Sequence, residues 1–407
     1  MIPYGRQDID EADVAAVAAA MRGDFLTTGP QVDELEEDLR GVTHAPHVVA
    51  CSNGTAALHL AALAAGVGEG GYAIVPSVTF LATANAMRLA GGEVWFADVD
   101  AGTGLLGPEQ LERAIAQAAR HWPGRRLRAV APVHLNGQAC DVAALVPLAA
   151  AHGAMVVEDA CHAFGGMQYL AGERPGIEAD LPVGACRHAD LATFSFHPVK
   201  AIAMGEGGAI AARDPALAGR MKRLRSHGME RDPARHELRD QGYDESGRPN
   251  PWYYEMPEVG LNYRAPDILC ALARSQLRRL AAFLAHRAAL AGRYRAALAA
   301  SPAPMQPLPL VPHGRPAWHL AVALVDFAAA GVGRGEAMRR LRASGYGTQV
   351  HYLPVHRQPY YIRRYGTPAL PGADAYYARC LSLPFHMGVG LDEADRVVAA
   401  LETALRS

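Results

Sequence analysis

No CxxC pair occurs in this sequence. Its six cysteines, Cys51, Cys140, Cys161, Cys186, Cys270 and Cys380, are scattered along the chain. That spacing excludes a zinc ribbon and fits reduced thiols better than a disulfide framework, so no metal site is expected. Long apolar runs are missing too: Gly, Arg and His interrupt every candidate for a membrane span. The polar opening MIPYGRQDIDEADV is unlike a signal peptide. A cytoplasmic protein without membrane attachment is the expectation. Basic runs of one sign are absent as well, with 39 Lys+Arg against 41 Asp+Glu and a formal net charge of −2. Nothing suggests a nucleic-acid footprint. The densest basic stretch, RMKRLRSHGMERDPARHELRD (220–240), mixes both signs and reads as a solvated face.

Several catalytic fingerprints are also lacking. There is no Walker loop, no HExxH and no GxSxG. The glycines of GVGEGG (66–71) and GEGG (205–208) precede strands instead of joining a strand to a helix. This argues against an NAD enzyme and a P-loop NTPase.

What is present is a chain of 407 residues, half of them hydrophobic and a fifth charged, enough for two domains and a sizeable core. From about residue 46 to 212 short apolar runs alternate with helical patterns: HVVACS, YAIVPS, EVWFADVD, RAVAPVHL, AMVVED, DLATFSF and GGAIAA read as strands. Their unbroken hydrophobicity implies burial on both faces, hence an α/β fold with a mainly parallel sheet. The tract from Ala265 to Ala300 is too long for an ordinary helix and is expected to bend or to bridge two domains. A proline-rich connector and a small α+β unit follow, with WHLAVALV and TQVHYL as strands. The division expected is a large domain at 1–260 with a helical N-terminal segment, a linking helical region at 261–300 and a small C-terminal domain at 301–407.

Three places invite chemistry. In CSNGTAAL a strand turns through Ser52–Thr55 into an alanine-rich helix, whose free amides suit a phosphate. In VVEDACHAFGG, Asp159 lies where a buried strand meets a loop, with His162 close behind. In FSFHPVKAIAMGEGG, Lys200 follows Ser195 and His197 at a strand end and precedes a flexible glycine-rich stretch. Each has a plainer explanation alone: a helix cap, a carboxylate bonded to nearby amides, a surface lysine. Together they are the parts pyridoxal 5′-phosphate (PLP) needs: a lysine for the Schiff base, a carboxylate for the pyridinium nitrogen, amides and hydroxyls for the phosphate.

At these residues the sequence resembles the DegT/StrS family of sugar aminotransferases. The likeness runs from DFLTTGPQVDELEEDL and NGTAALHLAAL through PSVTFLATANA, VEDACHAFGG and FSFHPVKAIAMGEGGAI to GLNYRAPDILCALARSQL and QVHYLPVHRQPYY. The resemblance implies the fold type I aminotransferase architecture, with Lys200 as the Schiff-base lysine and Asp159 as the pyridinium partner. It further implies that Gly54, Thr55 and Ser195 hold the phosphate, that Phe80 lies against the cofactor ring, and that His162 supports the Asp159 region. It implies a homodimer with shared sites, in which Asn262 or Arg264 of LNYR reaches the neighbouring subunit's phosphate.

Within the family, SFHPVK, RSHGM, PWYYE and ADAYYARCLSLPFH are most similar to the pseudaminic acid branch. That branch transfers an amino group from L-glutamate, leaving 2-oxoglutarate, to C4 of a UDP-linked 4-keto-6-deoxy-N-acetylhexosamine. His351 and Tyr352 either face that sugar nucleotide or belong to a plain strand face. Ala203 and Met204 stand where two threonines are expected, and Gln138 where a lysine is expected; all three are expected to flank the pocket. The competing readings are an aminotransferase for another dTDP- or GDP-linked 3- or 4-keto sugar, a sugar dehydratase, and a non-catalytic regulator on the same fold. Lys200 opposes the dehydratase, whose relatives carry histidine there.

Overall fold

The computed structural model describes residues 1–169 and 180–406. Its centre is a seven-stranded sheet of β1 (His47–Cys51), β2 (Gly71–Pro76), β3 (Glu93–Ala97), β4 (Arg126–Val130), β5 (Met155–Asp159), β6 (Leu191–Ser195) and β7 (Gly208–Ala212). The order across the sheet is β1-β7-β6-β5-β4-β2-β3, with only β7 antiparallel to its neighbours. All residues of β2 and β7 are buried, because helices cover both faces. The helices Gly54–Ala64, Leu81–Leu89 and Pro108–His121 each follow a strand, as βαβ crossovers require.

The core divides by face. One cluster holds Leu60, Ile74, Met87, Leu111 and Val130, and a second holds Leu35, Phe164, Phe194, Phe196 and Met204. Phe164 meets Phe194 and Phe196 edge-on, both with centroids 5.3 Å apart.

The tract at 265–300 is two helices, Asp267–Leu277 and Leu280–Ala300, broken at Arg278–Arg279. Arg279 explains where it breaks: its guanidinium is engaged by Asp8, Asp10 and Asp13 of the N-terminal segment. The second helix runs into a third cluster with Tyr294, Leu341, Leu383 and Leu401 around a three-stranded sheet of β8 (Met305–Pro307), β9 (Ala321–Val325) and β10 (Cys380–Leu383). TQVHYL is not a strand. Only Gln349 pairs, through one bridge to Ser382, and the rest of the segment is irregular. The basic stretch at 220–240 is largely neutralised: Arg220 pairs with Glu258, Lys222 and Arg225 with Glu36, and Arg223 with Glu230.

Candidate active site

Because β1, β2, β5 and β6 run in one direction, their carboxyl ends share one edge of the sheet, the usual ligand crevice of an open α/β fold. The segments leaving those ends line a cavity of about 870 Å³.

At the end of β1, Asn53 caps the helix Gly54–Ala64 by accepting from the Ala56 amide at 2.8 Å. The earlier amides of Gly54 and Thr55 precede any intrahelical partner and stay available. Gly54 is required: a Cβ there would come within 2.7 Å of the Ser195 Cβ and 3.0 Å of its Oγ. Gly208 on β7 is required too, since a Cβ would lie 2.5 Å from the Asn53 carbonyl. Two glycines thus let a helix start, a hydroxyl and a neighbouring strand crowd into one cradle.

At the end of β5 two adjacent carboxylates part company, as alternation along a strand demands. Glu158 turns into the interior, where His134 Nε2 lies 2.7 Å away and Gln168 donates to it. Asp159 turns into the cavity. Thr83 Oγ1 donates to its Oδ2 at 2.7 Å and the Cys161 amide to its Oδ1 at 3.2 Å. Thr79 Oγ1, 2.8 Å from Thr83 Oγ1, extends the chain.

After β6 a tight turn, with the Lys200 amide donating to the His197 carbonyl at 2.8 Å, brings Lys200 into the same cavity. Burial lowers its pKa, and Cys161 and Asp159 offset part of that. Around it stand three largely uncharged imidazoles. His162 and His319, with ring centroids 4.3 Å apart, are both buried and held well below the ordinary value, chiefly by burial, then by Lys200 and His351 for His162 and by His162 and Lys200 for His319. His351 is pushed down to about 4 by burial and by Lys200. The Tyr352 hydroxyl lies 2.9 Å from His162 Nε2, and burial holds that phenol protonated. The Nδ1 atoms of His162 and His319 have no partner among the described residues, which marks a place for a ligand's polar group. Phe80 is 55% exposed at the helix start after β2, its ring 5.9 Å from Tyr352.

The sequence residues Gly54, Thr55, Phe80, Asp159, His162, Ser195, Lys200, His351 and Tyr352 all line this cavity. Asn262 and Arg264 do not; from LNYR only Tyr263 does, and its hydroxyl lies 3.2 Å from His59 Nδ1. Ala203, Met204 and Gln138 do not flank the pocket either. Met204 is buried over Gly207 in the second core cluster, and the Ala203 amide faces Gln276. Gln138 is buried under the proline-rich connector, donating to the Pro309 carbonyl and accepting from the Val311 amide. Sequence reasoning missed Thr83, His319, Cys161 and Tyr4. Of these only Thr83 carried a signal, the Thr79–Thr83 spacing of four at a helix start.

An amine whose charge is suppressed, set beside a fixed carboxylate and a glycine-built anion cradle, fits PLP. With this sheet it defines the class: a fold type I, PLP-dependent aminotransferase. The chain belongs to the DegT/DnrJ/EryC1/StrS aminotransferase family, which matches residues 7–402. It is 34% identical to the spore coat polysaccharide biosynthesis protein SpsC of Bacillus subtilis (strain 168), over 100% of this chain and 97% of that protein. Among solved structures it superposes on Helicobacter pylori PseC, an aminotransferase involved in the biosynthesis of pseudoaminic acid. The TM-score is 0.84 at 24% identity over 99% of both chains, a likeness of fold. The PLP form of the sugar aminotransferase Spr1654 from Streptococcus pneumoniae, described as putative, matches with a TM-score of 0.83 at 25% identity, over 99% of this chain and 98% of that one.

Proposed function

We propose that this aminotransferase moves an amino group from L-glutamate to C4 of a UDP-linked 4-keto-6-deoxy-N-acetylhexosamine, in the cytoplasm and as a homodimer. The observation that carries the reading is the gathering of Lys200 and Asp159 in one cavity of about 870 Å³. The sequence segments similar to the pseudaminic acid branch favour that acceptor over dTDP- or GDP-linked keto sugars.

In this reading Gly54, Thr55 and Ser195 would hold the cofactor phosphate, and Phe80 would lie against its ring. Asp159, fixed by Thr83 and the Cys161 amide, would keep the ring nitrogen protonated. His162 keeps the Asp159 side of the site in place, and His351 and Tyr352 face the acceptor. Bound PLP supplies an electron sink for the substrate carbon. Lys200 Nζ holds and returns the proton in both half-reactions, and burial, which lowers its pKa, favours the neutral amine that can act as the base.

Among the described residues Lys200 is the only lysine or arginine lining the cavity, while Asp159 and Glu206 add negative charge. One chain therefore offers little to neutralise a phosphate, a diphosphate and glutamate's carboxylates. This supports a partner's contribution, with Asn262 and Arg264 the residues free to make it. The division into units at 1–260, 261–300 and 301–407 belongs to the same reading.

The test is the visible absorption of PLP-loaded protein given L-glutamate, then freed of excess, then given the UDP-linked keto sugar. The band should bleach with glutamate and return with the sugar. A band that bleaches and returns only with a dTDP- or GDP-linked keto sugar reassigns the acceptor. Lys200→Ala should abolish turnover; retained activity would remove the catalytic assignment.

A further inference from the structure

A second cavity, of about 570 Å³, opens at the outer edge of the sheet, where β3 has a neighbour on one side only. It shares no lining residue with the catalytic cavity among those described. Three pieces of chain enclose it: the start of β3, the end of the helix Pro108–His121 with the turn to Arg125, and the helix Pro359–Tyr365.

Glu93, buried at the start of β3, is its anchor. Arg364 donates to both carboxylate oxygens, from Nε to Oε2 at 2.9 Å and from Nη2 to Oε1 at 2.5 Å. The Tyr365 hydroxyl donates to Oε2 at 2.7 Å, and Arg88 Nη1 lies 2.8 Å from the same oxygen. That carboxylate is saturated. Arg125 comes no closer to it than 3.9 Å, and the Arg363 side chain has no hydrogen-bonding or ionic partner among the described residues. Three guanidinium groups thus line the cavity against one carboxylate, and two of them lack a close counter-charge.

The remaining wall is aromatic. Trp122 is held edge-on by Trp95 at 5.4 Å and by Tyr365 at 5.9 Å. Tyr360, 46% exposed, adds a ring whose hydroxyl accepts from Arg88 Nε at 3.3 Å. A lone arginine on a surface is ordinarily content in water. Here the guanidinium groups converge with indole and phenol rings on one concavity of small-molecule size. Guanidinium groups match phosphate oxygens in paired hydrogen bonds, and aromatic rings offer a face to a planar base.

We propose that this cavity is a second ligand site, for a nucleoside monophosphate whose phosphate is held by Arg125 and Arg363 and whose base lies against the aromatic wall. The site goes beyond the reaction proposed above and does not depend on which sugar is aminated. Its ligand joins the edge of the large sheet to the helix Pro359–Tyr365. That helix directly follows the segment that gives Tyr352 and Gln358 to the catalytic cavity.

The test is calorimetric titration of the PLP-loaded wild type and of Arg125→Ala/Arg363→Ala with adenosine 5′-monophosphate and with ribose 5-phosphate. The adenine nucleotide carries a base different from that of the proposed acceptor, and ribose 5-phosphate carries none. The nucleotide should bind the wild type at least about tenfold more tightly than ribose 5-phosphate, the gain expected of one stacked base. The double variant should lose about tenfold or more in nucleotide affinity, while glutamate bleaches its cofactor band at the wild-type rate. Equal nucleotide affinity in the two proteins, or none in the wild type, overturns the site. Equal affinity of the wild type for nucleotide and ribose 5-phosphate overturns the ligand class, because the rings then read no base. Slower bleaching in the double variant overturns the separation from the catalytic cavity.

Discussion

Asp159 shows what one residue contributes and how it is kept. Its carboxylate is held by one hydroxyl and one amide, so Asp159→Asn can preserve the shape while removing the charge. The single-turnover rate with glutamate should drop about 100-fold or more while the melting temperature changes little. An unchanged rate would mean that the ring nitrogen is served by another group. The histidines set a pH dependence of stability. His351 titrates near 6.5 when unfolded and near 4 when folded, so the unfolded chain binds more protons in that window and stability falls as pH falls through it. The melting temperature of the cofactor-free protein should decline from pH 6.5 to 4, and His351→Asn should flatten that decline. At this scale the sequence was legible where chemistry sat at strand ends: Lys200, Asp159, Ser195 and Gly54 all announce themselves there. It was opaque where a contact depends on chain paths far apart, as for Tyr4, His319 and the Thr83 support of Asp159.

Among the elements, the strands of the sheet could be read from unbroken hydrophobicity because both faces are buried. TQVHYL misled for the opposite reason. Its apolar residues face a cavity and not a sheet neighbour, so the pattern of a strand appears without the pairing. The helical tract at 265–300 hid its break because Arg279 is a good helix former, and only the acids at 8, 10 and 13 make use of it there. Gln138 illustrates an element held by one side chain. It satisfies both a carbonyl and an amide of the connector preceding β9. Gln138→Ala should destabilise the protein by about 1–3 kcal/mol, read as a shift in the urea midpoint. A shift within error would show that water replaces the amide.

For the whole molecule, Trp252, Met256 and Val259 are 73%, 60% and 82% exposed just before LNYR, three large apolar side chains bare in one short stretch. If Arg264 completes the neighbour's site, mixing Lys200→Ala and Arg264→Ala subunits should restore activity. Hybrid dimers then hold one site with both residues intact, giving up to about a quarter of wild-type turnover for random pairing. No recovery above the two separate variants would show that each chain supplies its own Arg264. The strand order has a consequence for synthesis. β1 finds its place only beside β7, and Gly208 must sit against Asn53 before the helix start and Ser195 can meet. A nascent chain halted before that strand has left the ribosome therefore has its first strand without a neighbour and no cradle to occupy. Capture of the cofactor belongs to a late stage of translation, and chaperones have the amino-terminal half to shelter until then.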